Sequence, residues 1–178
     1  MRKAFTLMEV NLAILVMAGG ILSICGLYSL GFRENRQSAE DVASTAYAEA
    51  VVSPLVMALS ATNVKWSVFK QLQPVPDRTG WAAYFDNNGQ INGNPEGKAK
   101  AAFETTMAKL SGGAQGSLGV ATAWPSSAAG GLKAGLVILH DDESPVVRIG
   151  FRATQTSGAL LAAPLFYTEV RFQGLADQ

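Results

Sequence analysis

The chain has 178 residues, 48% of them hydrophobic and only 16% charged, and its 14 basic and 14 acidic residues give a formal net charge of +0. No basic stripe supports nucleic-acid binding, and the single cysteine, Cys25, excludes an intramolecular disulfide and a cysteine-based zinc site. The length suits one domain with an appended element.

The N-terminus contains an apolar run of membrane-spanning length. No charged residue occurs from Val10 to Phe32, and this stretch forms about 35 Å of helix, enough to cross a hydrocarbon core of about 30 Å. Arg2 and Lys3 precede the run and Arg33 and Arg36 follow it. Because the basic residues nearly balance, charge alone does not set the orientation of the helix.

Two targeting signals fit this run poorly. A cleaved secretory signal has an apolar region of about 7–15 residues and a small-x-small cleavage site behind it, and neither is found here. A lipoprotein signal requires a small residue before the lipidated cysteine, whereas the bulky, β-branched Ile24 precedes Cys25. We therefore interpret Cys25 as a small apolar residue of the helix.

Glu9 stands directly before the run, although a carboxylate costs about 2.5–3.5 kcal/mol at the centre of a bilayer and less near its interface. The stretch Lys3-Ala4-Phe5-Thr6-Leu7-Met8-Glu9 resembles the prepilin processing motif of type IV pilins and type II secretion pseudopilins. The resemblance implies that prepilin peptidase cleaves between Ala4 and Phe5 and methylates the new Phe5 amine. Glu9 is then the fifth residue of the mature chain. The one departure is Ala4, where the family usually has glycine.

The resemblance also implies how such a subunit assembles. It assigns Thr6 and Glu9 to assembly, and Glu9 would face the Phe5 amine of a neighbouring subunit, where opposite charges attract strongly at low dielectric. The implied partners are prepilin peptidase, other pilin or pseudopilin subunits and an inner-membrane assembly platform. The implied location is the bacterial inner membrane, with one membrane-spanning helix and a head in the periplasm or on a filament.

Two other functions are open at this stage. An uncleaved anchor could hold a binding domain at the membrane, and processing behind Ala4 distinguishes this alternative from a filament subunit. An anchored hydrolase is the third hypothesis, but no catalytic motif supports it. We expect no enzyme activity and no cofactor, with calcium in the head as an open alternative. Only His140 could serve as a histidine base or, beside Asp141-Asp142-Glu143, as a metal ligand, and we favour a structural role for it.

Glycines interrupt the apolar helix at Gly19, Gly20 and Gly26. Each costs about 0.8–1 kcal/mol relative to alanine inside a helix. Small residues allow helices in membranes to approach closely, and glycines also allow a helix to unwind when a filament forms. The sequence supports both interpretations equally.

The helix is expected to continue beyond the run. We predict four segments: a leader at 1–4, a transmembrane and assembly segment at 5–32, an amphipathic continuation at 33–60 and a globular head at 61–178. Pro54 is expected to kink or end the helix, with a second helical piece from Leu55 to Leu72. A period of about 3.6 residues predicts an inner face of small apolar residues. These are Ala39, Val42, Ala43, Ala46, Ala50 and Val51.

The first part of the head is predicted to mix a hairpin with a helix. Trp81–Phe85 reads as a strand, Asp86–Gly89 as a tight turn and Gln90–Asn92 as the return strand. Lys98–Leu110 is predicted as a helix. Its apolar side consists of Ala102, Phe103, Met107 and Leu110. Flexible loops are expected at 111–119 and 126–131.

The last third of the chain is β-like. Strands are predicted at Ala134–His140, Pro145–Thr154 and Leu165–Phe172, the last with Phe166, Thr168, Val170 and Phe172 toward the core. The predicted fold class is therefore α+β, a three- or four-stranded antiparallel sheet packed on the second half of the long helix. This is also the type IV pilin-like fold that the resemblance implies, with the first half of the helix spanning the membrane.

Overall fold

The computed structural model has an α+β fold with one long N-terminal helix and a three-stranded antiparallel sheet. The elements in chain order are α1 (Leu7–Ser60), α2 (Trp66–Gln71), a 3-10 helix (Gly80–Tyr84), α3 (Pro95–Leu110), β1 (Lys133–His140), β2 (Val146–Thr154) and β3 (Phe166–Arg171). The structure describes residues 6–71, 80–84, 91, 93–111, 123–125, 131–141, 143–155 and 160–175.

The chain forms two compact units, Met1–Asp41 and Val42–Gln178, whose boundary falls inside α1. In the first unit, every described side chain is exposed except that of Glu40, which is half-buried. The second unit contains the hydrophobic core, which draws residues from α1, α2, α3 and all three strands. Apolar residues of the first unit therefore have no core within the described chain.

The face of α1 that packs into the core differs from the predicted one. Val51 is fully buried as expected, but Val42 is 68% exposed, and Ala39, Ala46 and Ala50 are also exposed. Tyr47, Leu55 and Leu59 lie on the buried face, and each removes more apolar surface from water than an alanine does. The buried residues of α1 are Ser44, Tyr47, Ala48, Val51, Leu55, Ala58 and Leu59.

Pro54 does not end α1, which continues for six residues beyond it to Ser60. A proline inside a helix costs about 3 kcal/mol, through a lost hydrogen bond and a clash with the preceding turn. Val51 and Leu55 on either side of Pro54 are fully buried. Burial of two such side chains contributes about 1.5–3 kcal/mol each, which is enough to offset the cost. The second helical piece, predicted from Leu55 to Leu72, is shorter than expected. Its first residues belong to α1, and a separate helix, α2, spans Trp66–Gln71.

Helix α3 confirms the predicted helix and begins three residues earlier. Asn94 is its N-cap and accepts a hydrogen bond from the Gly97 N–H at 3.1 Å, with Pro95 in the first turn. Its predicted apolar side is buried and packs against β1. Phe103 also meets the Trp124 ring edge-on, at 5.5 Å between centroids.

All three predicted C-terminal strands are present, and they pair in the order β1-β2-β3. Leu136 lies opposite Phe151, and Ile149 lies opposite Thr168. The predicted alternation is confirmed on β3, where Val170 is buried and Tyr167 is 55% exposed. The core face of β2 consists of Val147, Ile149, Phe151 and Ala153.

The strand predicted at Trp81–Phe85 is wrong, because Gly80–Tyr84 forms a 3-10 helix. The ring of Trp81 lies on the sheet face opposite the core, over Gly135 and Gly150. A Cβ at Gly135 would lie 2.9 Å from the Trp81 ring, and one at Gly150 would lie 3.3 Å from it. The guanidinium of Arg152 stands 5.2 Å from the same ring. Tertiary packing of Trp81 thus overrides the β-propensity of its segment.

The turn at Asp86–Gly89 lies outside the described residues, and Ile91 alone is described of the predicted return strand. Of the two predicted loops, only Ser111 and Gly131 are described.

Tyr84 closes the outer edge of β1. Its hydroxyl donates to the carbonyl oxygen of Leu136 at 2.6 Å and accepts from the Leu136 N–H at 2.9 Å. Both backbone groups are buried and point away from β2. Burial raises the pKa of Tyr84 to about 12, because the low-dielectric surroundings disfavour the phenolate. A side chain therefore takes the place of a further strand at this edge.

The C-terminal segment forms two backbone hydrogen bonds with the end of α1 and with the connection to α2. The Gln173 N–H donates to the Leu59 carbonyl at 3.0 Å, and the Leu175 N–H donates to the Val64 carbonyl at 3.1 Å. Gly174 lies between them, where any Cβ would overlap the Val64 carbonyl oxygen and the Phe172 ring. The first of these bonds satisfies one of the orphan carbonyls at the end of α1.

We predict that Tyr84→Phe destabilises the head by about 1–3 kcal/mol, because it leaves two buried backbone groups of Leu136 without a partner. Chemical denaturation of the full chain in detergent micelles, followed by near-UV circular dichroism, measures the loss. Tyr167→Phe is the matched control, since Tyr167 is exposed and should cost little. Equal stability of Tyr84→Phe and wild type would contradict the edge-closing role.

The raised pKa of Tyr84 also predicts a dependence on pH. The unfolded tyrosine ionises near pH 10, whereas the folded one ionises at about 12. The stabilisation is complete below pH 10 and is lost as pH rises from 10 to 12, because only the unfolded chain releases its proton there. Burial also raises the pKa of Tyr47 to about 12. Tyr84→Phe should therefore reduce the alkaline loss of stability and leave the part that Tyr47 contributes, and an unchanged pH profile would contradict this.

Gly174→Ala should destabilise the head by about 1–3 kcal/mol, the usual range for overpacking, because the Val64 carbonyl must move. Leu175→Ala is the control, since it removes a side chain that is 53% exposed and keeps the backbone hydrogen bond. Hydrogen exchange at the Leu175 amide measures the local effect. Faster exchange is expected in Gly174→Ala alone. Equal exchange in both variants would show that Gly174 is not needed for the hydrogen bond between Leu175 and Val64.

Candidate functional site

The polar group at the start of α1 is built by Thr6 and Glu9. The Thr6 N–H donates to Glu9 Oε2 at 2.9 Å, and the Thr6 hydroxyl donates to the same oxygen at 3.1 Å. In return, the Glu9 N–H donates to the Thr6 carbonyl at 3.0 Å and lies 3.4 Å from its hydroxyl oxygen. Two residues that the sequence assigns to assembly are thus in direct contact.

This arrangement is a capping box, in which the first residue and the fourth satisfy each other's backbone groups. The Glu9 carboxylate also lies at the positive end of the helix dipole, where negative charge is favourable. The spacing Thr6-x-x-Glu9 is itself the sequence signature of a capping box. Sequence reasoning assigned Glu9 only to contact between subunits and missed this second role.

Both residues remain accessible, since Thr6 and Glu9 are exposed. Within the described residues, the hydrogen bonds of the carboxylate all go to Oε2 and none goes to Oε1. The predicted cleavage and methylation residues, Ala4 and Phe5, lie outside the described residues, so processing there stays a prediction.

The apolar part of α1 is long enough and apolar enough to cross a membrane. An 18-residue stretch of this helix has a mean hydropathy of 2.2, and no residue of that stretch is buried. Leu12 is 65% exposed and Leu22 is 73% exposed. Cys25 is exposed in the same stretch. Such a surface is stable when lipid or other protein covers it.

The predicted flexibility residues make no close contact. A Cβ at Gly19, Gly20 or Gly26 would meet nothing within 4 Å, so packing among the described residues does not require glycine there. Two hydroxyls nearby bond back to the helix: Ser23 donates to the Gly19 carbonyl at 2.9 Å, and Ser29 donates to the Gly26 carbonyl at 2.8 Å. Close packing and unwinding both remain predictions for these glycines.

His140 lies in an aromatic cluster at the end of β1. Its ring stands 5.8 Å from that of Trp66 and 6.0 Å from that of Phe69, edge-on in both cases. The neighbouring Asp141 pairs with Arg148 at 3.2 Å. Among the described residues, no group of three or more His, Cys, Asp or Glu side chains is placed to hold a metal ion.

No family model, curated protein or solved structure matches the chain.

The capping box predicts that Thr6→Val frays the first turn of α1, because the N-cap hydroxyl is lost while the side-chain shape is kept. The cost is about 0.5–2 kcal/mol. Amide hydrogen exchange at Glu9 and Val10, in the full chain in micelles, reports this fraying. Thr6→Ser keeps the hydroxyl and should exchange as wild type does. Identical exchange in the two variants would show that the capping box contributes nothing.

Proposed function

We propose that the chain is a structural subunit of a type IV pilin-like filament, of the type II secretion pseudopilin or minor pilin kind. In this proposal, prepilin peptidase cleaves between Ala4 and Phe5 and methylates Phe5. The subunit then polymerises through the first part of α1. The observation that carries the proposal is the exposed polar pair Thr6–Glu9 immediately before an exposed, membrane-length apolar helix.

A charged side chain beside lipid is energetically costly. A carboxylate at the edge of an apolar span is unfavourable unless a positive group or hydrogen bonds compensate it. Thr6 supplies two hydrogen bonds to Glu9 Oε2, and among the described residues Oε1 accepts none, which leaves it for a donor from a neighbouring subunit. A neighbouring Phe5 ammonium fits that position by charge. Capping and intersubunit pairing are therefore compatible, since they use different oxygens of one carboxylate.

We also propose a cellular location and partners for the subunit. The one candidate span among the described residues would hold the subunit in the bacterial inner membrane, with the head in the periplasm. An assembly platform in that membrane would move the subunit into a filament of related subunits. The role is structural and not catalytic.

The processing step is tested by the intact mass and N-terminal sequence of the protein recovered from its native membrane. We expect a chain that begins at Phe5 and carries one added methyl group. Ala4→Leu should block the cleavage, because the residue before the cut must be small, and this variant should keep Met1. A wild-type chain that retains Met1 would instead indicate an uncleaved anchor with a binding domain.

Two substitutions at Glu9 separate the two roles of its carboxylate. Glu9→Gln removes the charge but keeps a side chain that completes a capping box, whereas Glu9→Val removes both. We expect both variants to be inserted and cleaved, and both to co-purify poorly with tagged wild-type subunits in the filament fraction. Normal co-assembly of Glu9→Gln would show that capping suffices and would refute charge pairing.

A further inference from the structure

The outer edge of β3 presents backbone groups that have no hydrogen-bond partner among the described residues. In an antiparallel ladder, the N–H and C=O of one residue point to the same side, and successive residues alternate. The Phe172 N–H donates toward β2, to the Pro145 carbonyl at 2.8 Å. Alternation therefore directs the backbone groups of Tyr167, Glu169 and Arg171 outward. No described strand pairs with this edge, in contrast to the edge of β1, which Tyr84 closes.

An open groove runs between this edge and α1, and we call it the β3 groove. Its volume is about 210 Å³, which is room for a side chain of several methylene groups. Ala48 and Val52 of α1 and Phe166 of β3 supply its apolar walls. A strand added beside β3 would direct every second side chain into the groove, because side chains alternate across a strand.

One carboxylate stands on the lining of the β3 groove. Glu49 is exposed, and among the described residues no Lys or Arg lies within ion-pair distance of it. Apolar walls beside one carboxylate match the two parts of a lysine or arginine side chain, an aliphatic stem and a cationic head. The groove therefore has the charge that is complementary to a basic residue.

We propose that the β3 edge binds an extended basic segment of another protein as an added strand, with a Lys or Arg side chain in the β3 groove and its charge at Glu49. The outward backbone groups of Tyr167 and Glu169 would bond the segment, as in other cases of strand addition. This proposal does not depend on the proposed role in a filament.

A second copy of this chain fits the β3 edge less well. If two β3 strands paired, the side chains entering each groove would be Phe166, Thr168 and Val170, and none of these is basic. Continuing the sheet head to tail would require the edge of β1, where Tyr84 already bonds both backbone groups of Leu136. Charge and edge geometry thus favour a different polypeptide.

The test uses a synthetic peptide, acetyl-Thr-Val-Thr-Lys-Thr-Val-Thr-amide, titrated into the full chain in detergent micelles. In a strand, its lysine and two valines share the face that would enter the groove. Amide chemical shifts of Tyr167 and Glu169 should change on titration and yield a Kd. A matched peptide with norleucine in place of lysine keeps the stem and removes the charge.

We expect the Kd for the lysine peptide to be about fivefold lower than for the norleucine peptide, as for one partly exposed ion pair. Glu49→Gln should remove this difference and leave the norleucine peptide unaffected. Unchanged β3 amides at millimolar peptide, or equal affinity for both peptides on wild type, would overturn the proposal. Concentration-dependent shifts at the same amides without peptide would assign the edge to a second copy and would also overturn it.

Discussion

The apolar surface of the first part of α1 is the strongest physical constraint on this chain, because no described residue covers it. From Leu7 to Phe32 no side chain is buried within the described chain, although this stretch is as apolar as a membrane span. Water disfavours such a surface by about 25 cal/mol for each Å². Lipid or protein that covered it would remove this cost, and by length and composition the stretch is a candidate membrane span. The head has its own core and does not need this stretch to bury its apolar residues.

Four polar side chains in and beside this apolar stretch make local hydrogen bonds. Ser23 and Ser29 bond helix carbonyls, and Thr6 and Glu9 bond each other. These bonds lower the cost of placing polar groups beside lipid. Glu9 differs from the serines because its charge is not neutralised by any described basic residue. The same side chain can therefore begin the helix and still attract a positive group from a neighbour.

The two edges of the sheet differ in how their backbone groups are hydrogen-bonded. At β1 a buried tyrosine hydroxyl bonds both free backbone groups of Leu136, and exposed strand edges generally invite pairing with other chains. On the outer face, Gly135 and Gly150 leave room for the Trp81 ring, which covers the middle of β1 and β2. The edge of β3 has neither kind of cover among the described residues. Among the described residues, the sheet is therefore covered at the β1 edge and open to a further strand at the β3 edge.

The sequence by itself determined the elements whose signals are local. A continuous apolar run located β1, alternation of apolar and polar residues located β2 and β3, and apolar spacing located α3. The membrane-length run and the Thr6-x-x-Glu9 spacing are likewise readable from the chain alone. Only the tertiary structure decided that Tyr47 and Leu55 face the core instead of the alanines, that α1 continues through Pro54, and that Trp81 lies in a 3-10 helix. The physical reason is that periodicity defines which residues share a face. Which face is buried depends on the volumes and contacts of side chains from segments far apart in the chain.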